Sequence, residues 1–185
     1  MEGNYSNRDE LLIAGIGGMG VLLIGSLLAS AAFEKYQHVS WLPSYGVQPR
    51  GGLSECTVIF SEERISSPLL DQAHTVILID GTQYGVMEPR VRSGGIMIVD
   101  NSGMKDDKTR NDIDLIALPA MTTVLDIFGE ATASNLILLG AYIQTTNAMP
   151  AELIKEHMTK RFSKKEKLLK RNITAFEKGL ELAAK

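Results

Sequence analysis

The sequence has almost no cysteine, and this limits the chemistry that the chain can carry. Cys56 is the only cysteine in 185 residues. One thiol cannot form an internal disulfide, and an iron–sulfur cluster takes about four thiolates. The histidines His38, His74 and His157 are far apart in the sequence and lack the spacing of a metal site. We therefore expect no metal on this chain, and we expect Cys56 to be a buried apolar side chain.

The sequence also lacks a basic excess and a long apolar segment. Its formal net charge is −3, and its content of 44% hydrophobic and 22% charged residues is that of an ordinary globular chain. The negative net charge argues against a nucleic-acid partner. No apolar run reaches the roughly 18 residues of a membrane span, and residues 1–10 lack a signal-peptide core. We expect a cytoplasmic protein with a single domain over residues 1–185, of which residues 1–9 are flexible.

Common catalytic motifs are missing as well. The sequence contains neither a G-x-S-x-G elbow nor a G-x-x-x-x-G-K-S/T loop. Asp80 and Asp100 follow predicted strands and can reach a crevice, but aspartates at such positions very often cap the following turn. The sequence therefore predicts no catalytic residue here and is typical of a binding scaffold whose partner supplies the chemistry.

The feature that is present is a glycine turn near the N-terminus. Residues 11–14 form an apolar run, and Gly15, Gly17 and Gly20 match G-x-G-x-x-G ahead of a predicted helix over 19–34. Strand, glycine turn and helix are the opening of a Rossmann-like unit. The helix N-terminus suits a phosphate or carboxylate, but tight strand–helix packing explains the same glycines equally well.

The residue that a nicotinamide dinucleotide site needs is absent. Such a site has an acidic residue about 20 positions after the glycines, at the end of the second strand. Residues 36–43 contain no acid, and Glu34 and Glu55 flank the strand without ending it. NAD is therefore disfavoured.

The predicted helix over 19–34 is apolar nearly all round. Several of its residues are small, including Gly25, Ser26 and Ala29. Small residues allow close packing on a sheet, and a helix that is apolar on every side is normally covered on every side. We expect the sheet to cover one face, and another helix or another subunit to cover the other.

Residues 43–52 form a predicted loop with two prolines and three glycines. Loops that follow strands in open α/β sheets border the binding crevice. Arg50 lies between Pro49 and Gly51, where a guanidinium has little steric cover and suits phosphate or carboxylate recognition. A surface arginine in a turn is the alternative.

The remaining pattern is α/β. Strands are predicted at 38–42, 53–61, 75–79, 95–100 and 113–118, and helices at 84–92, 122–128, 133–145, 151–162 and 164–184. The strand over 53–61 follows no helix, so it pairs antiparallel at a sheet edge or with its neighbour. Ser163 and Glu166 are predicted to form a capping box for the last helix. The expected fold is a Rossmann-like three-layer sandwich with a mainly parallel sheet and C-terminal helices.

Several segments in a fixed order carry a family resemblance. They are GIGGMG at 15–20, PSYG at 43–46, RGG at 50–52, ISSP at 65–68, NLILLG at 135–140 and NITAFEKG at 172–179. Together they resemble the gamma subunit of the 2-oxoacid:ferredoxin oxidoreductases, the group that includes the pyruvate/ketoisovalerate enzymes. The resemblance covers nearly the whole chain. Met19 replaces a glutamine usual in the family, and Gln48 replaces a common acidic residue.

The resemblance implies a heteromeric oxidoreductase. Such a complex oxidatively decarboxylates a 2-oxoacid, transfers the acyl group to coenzyme A and reduces ferredoxin. Thiamine diphosphate is expected on the alpha and beta chains, and iron–sulfur clusters on beta or on a ferredoxin-like delta chain. The gamma chain is expected to be inactive alone, to pack against alpha and to help frame the coenzyme A site. The substrate we favour is 2-oxoglutarate.

The implied coenzyme A contacts belong to the glycine turn and to the loop of Arg50. They are Gly17, Gly18, Met19, Gly20, Tyr45, Gly46, Arg50, Gly51 and Gly52. Three alternatives stay open: a stand-alone NAD(P)-binding Rossmann oxidoreductase, the small subunit of an indolepyruvate oxidoreductase, and a purely structural assembly chain.

Overall fold

A six-stranded mixed sheet forms the middle layer of the protein, whose computed structural model describes residues 7–44, 52–105 and 110–184. The strand order is β2-β3-β1-β4-β5-β6. The strands are β1 (Arg8–Ile16), β2 (His38–Ser44), β3 (Leu53–Ser61), β4 (Ala73–Leu78), β5 (Val91–Asp100) and β6 (Asp114–Leu118). The helices are α1 (Val21–Ala32), α2 (Tyr84–Met87), α3 (Ala120–Phe128), α4 (Ser134–Thr146), α5 (Ala151–Phe162) and α6 (Glu166–Ala183). The predicted α/β class with C-terminal helices is confirmed.

Strand β3 is the one strand of this sheet that runs against the others. It pairs antiparallel with β1 on one side and with β2 on the other. Strands β1, β4, β5 and β6 pair in parallel. Of the two positions left open for β3, the structure selects the interior of the sheet beside its sequence neighbour β2. Its buried residues, Cys56 and Val58 to Ser61, explain why it lies inside.

The two faces of the sheet are covered unequally. Alternate residues of β1 point to opposite faces, so that Leu11 and Ile13 join one core and Leu12 and Ala14 join the other. The first core is the larger and includes residues of α1, α4, α5 and α6. The second is covered by the short helix α2 and its neighbouring loops. The helical cover is therefore concentrated on the face that carries α1.

Helices α4 and α6 cross at two glycines. A Cβ added at Gly140 would overlap the carbonyl oxygen of Phe176, and one added at Gly179 would overlap that of Ile137. Each glycine therefore lets the backbone of the opposite helix approach closely. Backbone held in a helix, unlike a flexible side chain, cannot move aside for an added methyl group. This crossing fixes α6 against α4 at the centre of the larger core.

Two local predictions are wrong. Helix α6 begins at Glu166 with Lys165 as its N-cap residue, and no side chain caps it. Ser163 instead ends α5 in a helical conformation, which cannot form a capping box because an N-cap residue is normally extended. Strand β5 begins at Val91 rather than Gly95, because Val91 already pairs with Ala73 of β4.

The predicted helix over 84–92 is correspondingly shorter. Helix α2 ends at Met87 and continues as a 3₁₀ turn over Glu88–Arg90. Pro89 lies in that turn, where its missing N–H prevents regular helix from continuing.

Strand β1 begins at Arg8, so Arg8 and Asp9 belong to the sheet although residues 1–9 were expected to be flexible. Asp9 is buried. Within the described ranges, no helix is both long and apolar enough to cross a membrane.

Candidate functional site

The glycine turn joins the end of β1 to the start of α1. Gly18 and Gly20 have φ values of 100° and 81°, in the left-handed region that glycine adopts without strain. The Met19 amide donates to the carbonyl of Ile16 at 3.1 Å and closes the turn. A Cβ added at Gly18 would have nothing within 4 Å. Gly18 therefore borders open space, and its missing side chain leaves room for a ligand.

Gly20 lies against a different part of the chain. The Asn135 side-chain nitrogen Nδ2 donates to the Gly20 carbonyl at 3.2 Å, and Asn135 Oδ1 accepts from the Leu136 amide at 3.0 Å. A Cβ at Gly20 would overlap Nδ2 of Asn135. Asn135 is buried. It therefore connects the start of α1 to the start of α4.

The start of α4 repeats the backbone conformation found at the start of α1. Ala133 precedes α4 with a φ of 77°, an uncommon conformation for a residue with a Cβ. Neither Gly20 nor Ala133 supplies a side-chain cap to its helix. The N-terminal ends of two helices, each with a positive dipole end, therefore border the same space.

This space is a cleft of about 430 Å³. One wall is the glycine turn and another is the segment 131–135. Leu23, Leu136, Phe162 and Leu168 add apolar surface. No carboxylate occurs among the described residues that line the cleft, so an anionic group would meet no like charge there. Together with the apolar surface, this suits a ligand that has an anionic part and an apolar part.

Arg171 of α6 holds the far wall in place. Its guanidinium donates to Glu130 Oε2 at 3.2 Å and to the carbonyl of Thr132 at 3.3 Å. The guanidinium also lies over the Phe128 ring, 5.0 Å from the centroid. Because these groups already engage Arg171, we assign it the role of fixing the 130–132 segment.

The predicted site residues divide into two groups. Gly17, Gly18, Met19 and Gly20 lie in the turn, and the Gly17 amide donates to the carbonyl of Gly52 at 3.2 Å. The structure thus places Gly52 beside Gly17 of the glycine turn. The other predicted residues, Tyr45, Gly46, Arg50 and Gly51, lie outside the described residues.

The strand-end aspartates act as turn caps. Asp80 Oδ1 accepts from the amide and hydroxyl of Thr82 at 3.0 and 2.8 Å. Asp100 accepts from the amides of Ser102 and Met121 at 3.0 and 2.9 Å. Burial raises the pKa of Asp100, against the opposing effect of these hydrogen bonds. The capping role that the sequence suggested for both residues is confirmed.

Cys56 is buried against α1, as predicted. Its Sγ lies 3.6 Å from the Val21 carbonyl oxygen. Burial raises the pKa of the thiol to about 12, so that the nucleophilic thiolate is disfavoured. Within the described part of the chain, no three His, Cys, Asp or Glu side chains are grouped as metal ligands.

Sequence reasoning missed Asn135, Ala133 and Arg171 as parts of the cleft. They lie more than 100 positions after the glycine turn. In the sequence, Asn135 stands out only as the first residue of the family-like segment 135–140. Chain spacing carries no signal for such a contact, because it forms only when α4 packs beside α1.

The architecture defines an α/β protein of Rossmann-like type with its cleft at the β1–α1 turn. The chain belongs to the pyruvate ferredoxin/flavodoxin oxidoreductase family, whose profile matches residues 10–182. This match and the related chains described next confirm the resemblance to oxoacid oxidoreductase gamma subunits.

Related proteins match this chain in two ways. The ketoisovalerate oxidoreductase subunit VorA of Methanothermobacter marburgensis is 33% identical over 174 residues, which are 94% of this chain but 36% of VorA. The chain thus spans about a third of the length of the VorA subunits it matches. The 2-oxoglutarate synthase subunit KorC of Methanocaldococcus jannaschii is 27% identical over 179 residues, covering 95% of this chain and 94% of KorC.

Solved structures share the fold. The keto/oxoacid ferredoxin oxidoreductase gamma subunit from Geobacter sulfurreducens matches with a TM-score of 0.82 and 26% identity, over 96% of this chain and 97% of that one. A 2-oxoglutarate:ferredoxin oxidoreductase from Magnetococcus marinus matches with a TM-score of 0.86 and 23% identity, over 96% of this chain and 31% of that one. The second likeness speaks for the fold alone.

Proposed function

We propose that this chain is the gamma subunit of a multisubunit 2-oxoacid:ferredoxin oxidoreductase and that its glycine-turn cleft forms part of the coenzyme A site. In the proposed reaction the 2-oxoacid loses its carboxylate as CO₂, and its acyl group is transferred to the coenzyme A thiol. The two electrons released pass to ferredoxin through iron–sulfur clusters. Thiamine diphosphate and the clusters belong to the alpha, beta or delta chains in this proposal.

The observation that carries the proposal is the open space at Gly18 between two helix N-termini. Coenzyme A supplies the thiol that accepts the acyl group. Its phosphates match the positive ends of α1 and α4, and its apolar arm matches the surface around Leu23 and Phe162. Arg50 adds a guanidinium for phosphate in this proposal. The chain thus binds and orients coenzyme A, and other subunits perform the redox chemistry.

Reconstitution tests the subunit role. We expect the purified chain to show no 2-oxoacid oxidation alone, and the alpha and beta chains to become fully active when it is added. Oxidation by the isolated chain, or full activity without it, would contradict the proposal.

Substitution of Arg50 tests the ligand. In the assembled enzyme, Arg50→Ala is expected to raise the KM for coenzyme A about 10- to 100-fold, since a charge-assisted phosphate contact is worth roughly 1.5–3 kcal/mol. Arg64→Ala removes an exposed arginine from another loop and serves as the matched control. An unchanged KM would favour the purely structural assembly chain.

For the substrate we propose 2-oxoglutarate. Support comes from the end-to-end match to chains named 2-oxoglutarate synthase subunit KorC. The test is the ratio of kcat/KM values for 2-oxoglutarate, pyruvate and 2-oxoisovalerate with the assembled enzyme. A higher kcat/KM for either of the other acids would overturn this assignment.

The G-x-G-x-x-G turn also favours a second candidate, a stand-alone nicotinamide-dependent oxidoreductase. Strand β2, His38–Ser44, has no acidic residue to hold a ribose hydroxyl. Calorimetric titration with NADH and NADPH separates the two candidates. We expect no saturable binding, and saturable binding would revive the dinucleotide function.

A further inference from the structure

Helix α1 presents an uncharged stripe on the side that faces away from the sheet. No charged residue occurs from Val21 to Phe33. On the outer side, Leu22 and Ser26 are half-buried and Ser30 is exposed, while 67% of Phe33 is exposed. A solvent-facing helix side normally carries charged or strongly polar residues. This side therefore has the composition of a buried surface, although the described chain covers it only in part.

The stripe forms one wall of a groove whose other wall is Trp41. The groove has a volume of about 400 Å³ and is bordered along α1 by Leu22, Ser26 and Ser30. Trp41 is the only tryptophan in the sequence, and 40% of it is exposed. Large aromatic side chains at the surface are enriched in protein interfaces.

The groove lies beside the edge of the sheet. Trp41 belongs to β2, which ends the strand order and has no neighbour on its outer side among the described strands. An uncovered edge strand is open to pairing with another chain. The edge of β2 and the groove lie next to each other, because Trp41 belongs to both.

The groove is also continuous with the cleft. Leu23 borders the groove on one side and the glycine-turn cleft on the other. A chain seated along α1 therefore reaches the mouth of the cleft. A chain docked at a distant face would leave the cleft unchanged. A chain docked in this groove can add residues to the wall of the cleft.

We infer that the α1–Trp41 groove docks the catalytic part of the oxidoreductase, namely the chain that corresponds to the remainder of VorA. In VorA, the segment that matches this chain is part of a polypeptide about three times as long. The rest of that polypeptide is therefore covalently attached to the matching segment. This inference rests on the proposed function. The docking element must itself be uncharged along α1, because a charge buried there would lack a partner.

One charge on the groove predicts one feature of the partner. Arg161 borders the groove, is exposed and forms no ion pair with the residues that the structure describes. Nearby, Glu34 is already engaged by His157 at 2.8 Å and Lys160 at 3.1 Å. We therefore expect the docking element to place a carboxylate opposite Arg161.

Charge insertion tests the groove. The double variant Ser30→Glu/Phe33→Glu places two carboxylates on exposed positions, so that folding is preserved. The control, Leu69→Glu/Val86→Glu, makes the same change at apolar residues that are 74% and 63% exposed elsewhere on the surface. The measured quantity is the dissociation constant for the purified partner chains of the same oxidoreductase. We expect it to rise about 30-fold for the groove variant and at most about twofold for the control.

One further variant and one labelled chain test the position of the groove. Arg161→Glu is expected to weaken binding about fivefold, since border charges contribute less than the centre of an interface. A chain labelled with 5-fluorotryptophan carries one fluorine signal, at Trp41, and that signal should shift when the partner is added.

The outcomes are distinguishable. An unchanged dissociation constant in an active complex overturns the groove and leaves the proposed function standing. A wild-type dimer that the groove variant converts to monomers, with partner binding unchanged, identifies a second copy as the occupant and also overturns the inference. Failure of the wild-type chain to bind or activate the partner chains instead contradicts the proposed function itself.

Discussion

Glycines at two places in this protein differ in what occupies the space that a side chain would fill. At the α4–α6 crossing, the space beside Gly140 and Gly179 is filled by backbone of the opposite helix. At the β1–α1 turn, the space beside Gly18 is empty. A glycine beside a space filled by protein allows close packing, whereas a glycine beside an open cleft leaves room for a ligand. The open space beside Gly18, together with the two helix N-termini that border it, is our main reason for placing the site at the turn.

Gly25 represents an intermediate case. A Cβ there would lie 2.5 Å from Cys56 Sγ and 3.1 Å from Trp41 Nε1, so side chains rather than backbone fill the space. A conflict with a side chain can be relieved by a second substitution, and a conflict with backbone cannot. The three cases therefore predict three different responses to the same added methyl group.

The largest effect is expected at the α4–α6 crossing. Gly140→Ala should lower the free energy of unfolding by about 3 kcal/mol or more, because the methyl group meets a carbonyl that is fixed within α6. Urea denaturation measures the loss. Gly85→Ala, at an exposed helical position in α2, is the matched control and should be neutral or slightly stabilising. A loss below about 1 kcal/mol at Gly140 would break the comparison.

A smaller and reversible effect is expected at Gly25. Gly25→Ala should cost about 2 kcal/mol through overpacking against Cys56. In the double variant with Cys56→Ala, the shorter side chain should recover part of that loss, which a double-mutant cycle detects. Strict additivity of the two losses would show that Cys56 does not fill the space.

The connection between the two helix starts should matter somewhat less. Asn135→Ala removes the donor to the Gly20 carbonyl and the acceptor for the Leu136 amide, and is expected to cost about 1–2 kcal/mol. Asn101→Ala changes an exposed asparagine and is the control. Thermal unfolding of the two variants measures the difference. Equal melting temperatures would mean that Asn135 does not hold α1 and α4 together.

The weakest predicted effect concerns the opposite end of α4. Tyr142 of α4 donates to Asp9 Oδ2 at 2.7 Å, and His74 Nδ1 lies 3.4 Å from Asp9 Oδ1. The hydrogen bond with Asp9 raises the pKa of His74 above its ordinary value of 6.5, while burial and Arg92 oppose the shift.

Protonated His74 therefore stabilises the fold. This stabilisation is complete below pH 6.5 and is lost as the pH rises through the higher pKa of the folded protein. Since His74 is partly exposed, we expect a loss of only a few tenths of a kcal/mol. Urea denaturation between about pH 6 and pH 8 measures it. His74→Gln should abolish the pH dependence, and His38→Gln, at an exposed histidine, should leave it intact; the reverse pattern would contradict the assignment.

The sequence predicted those features that depend on neighbouring residues. The apolar run of β1, the glycine turn and the long apolar helix α1 follow one another directly, so their local pattern suffices. The predicted cover of α1 follows from its composition. Helices α4 and α5 supply part of that cover, and the surface at Ser30 and Phe33 stays exposed in the described chain.

The features that the sequence missed depend on contacts between distant segments. The roles of Asn135 and Arg171 arise only when α4 and α6 pack beside the turn. Likewise, nothing near Gly140 or Gly179 in the sequence shows that backbone fills the space beside them, because that backbone comes from another helix. The wrong cap at Ser163 has a local cause, since its side chain suits a cap but its backbone remains helical.

The most direct test of the central claim compares one substitution at two left-handed glycines in open space. Gly18 and Gly129 both have positive φ, and a Cβ at either meets nothing within 4 Å. Asparagine is among the residues with a Cβ that most readily adopt a positive φ, so it strains both positions less than other substitutions would. We predict that in the assembled oxidoreductase Gly18→Asn raises the KM for coenzyme A about tenfold with little change in kcat, while Gly129→Asn leaves both unchanged. Equal KM values for the two variants would contradict the placement of the coenzyme A site at the glycine turn.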